Sequence, residues 1–111
     1  MTPDQARKHR GYATEKIVAD YFAKNGFPYA LATGASRQGT DVTGVLGVDI
    51  EVKARRGLVI SAAMKQLRER ASDALPVAVL RMDGSGEASI SEFPTVLRLE
   101  DFVLLLKKAG Y

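Results

Sequence analysis

Asp41, Asp49, Glu51 and Lys53 crowd into one stretch, GTDVTGVLGVDIEVKARRG, Gly39 to Gly57. The rest of that stretch carries the small and β-branched residues of a buried hairpin. Side chains alternate along a strand, so Asp49, Glu51 and Lys53 share one face, and Ile50 and Val52 share the other, toward a core. An upstream strand, Thr40 to Gly44, would carry Asp41 and Thr43 on one face and Val42 on the other. A two-residue loop, Val45-Leu46, puts Asp41 opposite Ile50, on the wrong face. A three-residue loop ending at Gly47 supplies the positive φ that such a turn wants. It sets Asp41 opposite Glu51, with Cβ atoms roughly 5 Å apart. Like charges placed so repel and call for a cation between them, either Lys53 or a divalent metal. Carboxylate, backbone and water oxygens suit a hard ion such as Mg²⁺ or Mn²⁺. A solvated face with an acid–lysine salt bridge is the ordinary alternative. The apolar opposite face and the basic flanks argue against it.

The elements that must position these groups follow from periodicity. Residues 3 to 25 read as a helix, with Thr2 or Asp4 as cap and Pro3 in the first turn. Ala13, Thr14, Ile17, Val18, Tyr21 and Phe22 form one face, and Asn25-Gly26 is a stop signal. Phe27 to Thr33 reads as a short strand and Gly34 to Gly39 as a polar loop. Ser61 to Ser72 reads as a second helix with Ala63, Leu67 and Ala71 inward. VAVLRM after Pro76 reads as a central strand, DGSG as a turn, and Ala88 to Glu92 as an edge strand. Leu99 to Ala109 reads as a last helix, whose run FVLLL is expected to finish the core. The fold class is α/β, one domain over 1–111, with a central sheet flanked by helices.

Composition sets few further limits. The 111 residues hold 46% apolar and 26% charged side chains, as in an ordinary soluble domain. There is no cysteine and a single histidine, His9, which excludes thiolate and His-based zinc sites. No apolar run approaches membrane length and the N-terminus has no signal-peptide h-region, so a cytoplasmic protein is expected. The net charge is +3, and the basic residues cluster around the acidic centre. Arg7, Lys8, Arg10, Arg37, Arg55 and Arg56 are the candidates for phosphate contacts with a polyanion. No aromatic stacking array or sequence-reading helix motif is visible, which favours recognition of nucleic-acid shape.

With Gly39-Thr40-Asp41, a hairpin, and Glu51-Val52-Lys53 in place, the pattern resembles the PD-(D/E)XK nuclease superfamily. Within it the chain is most similar to archaeal-type Holliday junction resolvases and small phage nucleases. Arg7 to Phe27 looks like that family's first helix and Gly34 to Asp41 like the loop into its first acidic strand. The helix with Lys65 and Gln66 and the strand PVAVLRM fall where its next elements stand. The likeness spans about residues 7 to 82. The family often has proline before the aspartate, where this chain has Thr40.

The resemblance implies a restriction-endonuclease-like αβββαβ core with a central mixed sheet. It implies a Mg²⁺-dependent endonuclease acting on branched or duplex DNA as a homodimer, with Mn²⁺ able to substitute. Asp41 and Glu51 would hold the metal, joined by Glu15 of the first helix and the Val52 carbonyl. Lys53 would act on the attacking water and Gln66 would stand in the active site. Asp49 is either a second metal ligand or the wet end of the strand. The rival expectations are a non-catalytic nucleic-acid-binding module on the same fold and a small interaction domain with a solvated hairpin.

Overall fold

The computed structural model describes residues 2–34, 39–54, 60–70 and 73–111; the side chains of Asp4, Arg7, Lys8 and Arg10 are not among those described. Helix α1 spans Pro3–Lys24. Thr2 caps it reciprocally. The Gln5 N–H donates to the Thr2 hydroxyl at 3.2 Å, and the Thr2 N–H donates to the Gln5 side chain at 2.8 Å. Asn25 and then Gly26, at φ 107°, end the helix.

Two short strands follow, β1 (Leu31–Ala32) and β2 (Val42–Thr43), paired antiparallel with Leu31 against Thr43. Strand β3 (Val48–Lys53) runs parallel to β4 (Leu75–Leu80), and α2 (Ile60–Glu69) makes the crossover between them. After a 3₁₀ helix, Glu87–Glu92, strand β5 (Thr95–Val96) pairs antiparallel with the other edge of β4. Helix α3 (Leu99–Lys108) comes last. The expected succession of helix, three strands, helix and strand is present, but in two sheets, the antiparallel pair β1–β2 and the small mixed sheet β3–β4–β5, with helices beside them. Among the described residues no helix is long and apolar enough to cross a membrane.

Strand alternation distributes the apolar side chains to two cores. Ile50, Val52, Val77 and Val79 face α1 and pack with Val18, Ala19, Val42, Val45 and Phe93. Ala78 and Leu80 face the other way and pack with Ala63 and Leu67 of α2. The alanines Ala63 and Ala78 are fully buried and let α2 lie close on β4. The α2 face of β3 therefore belongs to its odd-numbered residues: Asp49, Glu51 and Lys53.

Four expectations need correction. The strand expected over Phe27 to Thr33 is cut to Leu31–Ala32, because Pro28 sits in a turn closed by the Ala30 N–H donating to the Phe27 carbonyl. The expected edge strand over Ala88 to Glu92 lies within the 3₁₀ helix, where Ile90 alone packs on the core and alternation has nothing to bury. The run FVLLL does not finish the core, since no residue of α3 is buried. The β2–β3 hairpin is not the regular ladder expected. Gly47 does turn the chain, at φ 78°, with the Val48 N–H on the Val45 carbonyl. The backbone bond from Asp41, however, goes to the Ile50 carbonyl at 2.8 Å. That is the pairing partner which the shorter loop would have given. Side chains take the remaining ladder positions, as the site shows.

Gly44 is needed for space as well as for its φ of 84°: a Cβ there would collide with the backbone carbonyl of Tyr29. This contact holds the β1 approach against the start of the turn.

Candidate functional site

The acidic residues meet at the open edge of β3, and Thr40 and Asp41 explain how. The Ile50 N–H donates to the Thr40 hydroxyl at 2.9 Å, which in turn donates to the Val42 carbonyl at 2.8 Å. The Asp41 carbonyl is taken by the Thr33 N–H at 3.0 Å. The Asp41 carboxylate then accepts the next free donor along β3, the Val52 N–H, at 2.7 Å. Two side chains thus replace ladder partners. As a result the Asp41 carboxylate lies along the strand edge beside Glu51, despite its backbone pairing with Ile50.

The parallel register fixes the Val52 carbonyl as well. The Lys53 carbonyl accepts from the Arg81 N–H and the Gly47 carbonyl from the Leu75 N–H, so odd residues bond toward β4. Even residues, Val52 among them, direct both backbone groups to the opposite edge, where Asp41 stands.

From α1, Glu15 completes the group. It is only 6% exposed, and its carboxylic acid donates a hydrogen bond to the Asp41 carboxylate. Burial first, then the charge of Asp41 and its hydrogen bond, and then the charge of Glu51 push the Glu15 carboxyl up from 4.5 to about 7. Asp41 is also raised. Burial is the largest cause, and Glu51 adds to it. The Val52 N–H, the Glu15 hydrogen bond and Arg70 act against it. Glu15, buried, thus holds its proton against the half-buried Asp41 carboxylate to a higher pH than an ordinary glutamate does. Arg81 secures this part of α1 by donating to the Thr14 hydroxyl at 3.1 Å and to the Ser85 carbonyl at 2.8 Å.

On the α2 face the cations gather. The Lys53 ammonium lies 3.0 Å from one Glu51 oxygen. Arg70, at the end of α2, holds the other oxygen at 2.6 Å and grips Asp49 with two hydrogen bonds, at 3.0 and 2.6 Å. Burial works against the Arg70 charge, and the bonds to Asp49 and Glu51 overcome it, leaving its pKa raised. Among the described residues four carboxyl groups (Glu15, Asp41, Asp49 and Glu51) face two cations, Lys53 and Arg70. A proton on Glu15 carries part of that excess, and among the described residues no buried side-chain oxygen or nitrogen lacks a partner.

The structure therefore brings together Glu15, Asp41, Glu51, Lys53 and the Val52 backbone. Asp49 is neither solvated nor aimed at Asp41; it anchors Arg70. Gln66 is exposed on α2 and takes no part in the cluster among the described residues. Arg70, one turn on and directly after α2, is the residue that reaches it. The sequence carries a signal for this. Arg70 continues the buried stripe of Ala63 and Leu67 at helical spacing, so its side chain points toward the sheet. The phosphate-contact candidates Arg37, Arg55 and Arg56 lie outside the described residues, as do the side chains of Arg7, Lys8 and Arg10. Tyr12 and Phe27 are rim residues: Lys16 lies 6.0 Å from the Tyr12 ring centre, and Phe27 packs edge-on against Phe22.

Comparison of the chain with family models, curated proteins and solved structures finds no match. Among the described residues, no three carboxylates or imidazoles stand ready-arranged around a metal ion. Carboxylate and backbone oxygens are the donor type that a hard cation takes. The oxygens come from three different elements, they carry excess negative charge, and a hydrogen bond already joins two of them. Lys53 and Arg70 hold the Glu51 oxygens, so a divalent ion would have to draw Glu51 partly away from them.

Proposed function

We propose that the chain is a divalent-metal-dependent nuclease with a restriction-endonuclease-like core. Its substrate is DNA, branched or otherwise structured, and it belongs with the resolvase-like PD-(D/E)XK enzymes that its sequence resembles. The observation that carries this reading is the meeting of Glu15, Asp41 and Glu51 from three separate elements, with Lys53 on Glu51. A fold gains little stability from pressing three acids together, and a catalytic site needs such a group. Glu15, Asp41 and Glu51, with the Val52 carbonyl, would hold Mg²⁺ or Mn²⁺. Such an ion polarises a phosphodiester and favours the ionisation of water. Lys53 stands beside Glu51, placed to orient the attacking water and to stabilise charge developing on the phosphate. Arg70, fixed by Asp49, keeps the Glu51 carboxylate in place and adds positive potential where a phosphate would approach.

A second reading is a nucleic-acid-binding module without catalysis. The observation in its favour is the closed ion network on Glu51, which is internally satisfied. The two readings separate in one assay. Four-way junction, flap, duplex and single-stranded DNA are incubated with the protein in Mg²⁺, in Mn²⁺ and in EDTA. The nuclease reading predicts metal-dependent cleavage with a preference for branched substrate. Binding without cleavage of any substrate in either metal would establish the module instead.

A further inference from the structure

We infer that Asp49 and Arg70 build a permanent cation into the acidic site, so that it takes one divalent ion and not two. The inference rests on the metal-dependent reading above and says how many ions that site holds. Asp49 and Glu51 lie two residues apart on one face of β3, both under 10% exposed. Glu51 is the acid common to both sides of the cluster. Its charge acts on Glu15 and Asp41, and it shares Arg70 with Asp49. Two-ion sites set their ions about 3.5–4 Å apart, close enough for one carboxylate to touch both. Glu51 is the acid placed for that, with one ion toward Asp41 and the other toward Asp49.

The place toward Asp49 is already filled. All three guanidinium nitrogens of Arg70 are engaged. Nε and Nη2 donate to the two Asp49 oxygens at 3.0 and 2.6 Å, and Nη1 donates to Glu51 at 2.6 Å. This is the planar fork that a guanidinium makes and an ammonium cannot. An arginine keeps its charge throughout the pH range of a folded protein. Unlike a bound ion, it cannot dissociate into solvent.

Charge divides the cluster in the same way. Asp49 and Glu51 face Arg70 and Lys53, two acids against two bases. Among the described residues Glu15 and Asp41 form no ion pair, and Asp41 feels Arg70 only as the weakest of the influences on it. The uncompensated charge is therefore on the α1 side, where the edge of β3 also carries the Val52 carbonyl. An ion there needs Glu51 to loosen its hold on a cation at one oxygen. An ion on the α2 side would have to displace a guanidinium held by three hydrogen bonds, and would leave that positive charge beside its own. Asp49 thereby has a role that its position on the strand does not announce: it holds Arg70 where a second ion would otherwise go.

Counting the Mn²⁺ bound per chain tests this. The count is read at pH 8 on the full chain from loss of the free-ion electron paramagnetic resonance signal, up to about 5 mM free ion, which covers millimolar dissociation constants. The wild type should bind one ion. Arg70→Met should bind two, because Asp49 and Glu51 then face an open place, and its spectrum should show the broadening of two coupled ions. Asp49→Asn combined with Arg70→Met should return the count to one, since the second place needs both acids. A wild type that binds two ions would overturn the proposal, whether or not the Arg70 variant folds. So would a folded Arg70→Met that still binds only one. A wild type that binds none would remove the metal site itself, and the nuclease reading with it.

Discussion

The Glu15 carboxyl makes stability depend on pH in an unusual direction. It is raised from 4.5 to about 7 in the folded chain. Between those values the folded state binds a proton that the unfolded state has released. The stability attached to that proton is complete below about 4.5 and is lost as pH rises through 7. The full shift corresponds to at most about 3.5 kcal/mol, at about 1.4 kcal/mol per unit. Relaxation and water entry reduce this, so about 1–3 kcal/mol is the expected range. Asp41, raised as well, pushes the same way. Glu15→Gln keeps the hydrogen bond to Asp41 and removes the titration. In urea unfolding at pH 5 the variant and the wild type should be nearly equal. At pH 8 the variant should be more stable by about 1–3 kcal/mol, which for a domain of this size is a rise of roughly 4 °C or more in melting temperature. Parallel pH profiles, or a variant less stable than wild type at pH 8, would refute the assignment of this proton to Glu15.

Three other outcomes are expected. Arg70→Met strands Asp49 and Glu51, both under 10% exposed, and should cost about 2–4 kcal/mol; Arg70→Lys should recover little, because one ammonium cannot reproduce three hydrogen bonds to two carboxylates. Gly44→Ala should destabilise by more than about 2 kcal/mol in thermal unfolding, since a left-handed residue and a collision with the Tyr29 carbonyl are combined. Mn²⁺ should raise the melting temperature more at pH 8 than at pH 5.5, because the ion and the Glu15 proton compete for the same oxygens; equal shifts at both values would separate the ion from Glu15.

The acidic face was legible in the sequence because alternation along VDIEVK depends only on neighbours. Ile50 and Val52 face the α1 core as read, and Asp49, Glu51 and Lys53 share the other side. Glu15 was placed by the family resemblance and not by helical spacing: the expected apolar face of α1 ran through Ala13 and Tyr21, which are exposed, whereas the structure buries Thr14, Glu15, Val18 and Ala19; the cap, Thr2, was readable. Three features escaped for non-local reasons. The hairpin register fails because Thr40 and Asp41 answer β3 donors with side chains, a substitution that loop length does not announce. The ion pairs of Arg70 reach residues 19 and 21 positions upstream, so the residue reads as one more basic surface group until the crossover brings α2 onto β3. The run FVLLL reads as core because composition reports apolarity and says nothing of which surface will cover it.

Metal-dependent cleavage by the acids at the edge of β3 can be measured on one labelled four-way junction. Wild type, Asp41→Asn and Glu51→Gln are compared in Mg²⁺ for cleavage and in Ca²⁺ for binding, with folding checked by circular dichroism. The nuclease reading predicts that wild type cuts, that both variants lose cleavage by at least a hundredfold, and that all three bind the junction with similar affinity. A wild-type protein that binds the junction and never cuts it, or folded variants that cut as well as wild type, would show that these acids are not the catalytic group of a nuclease.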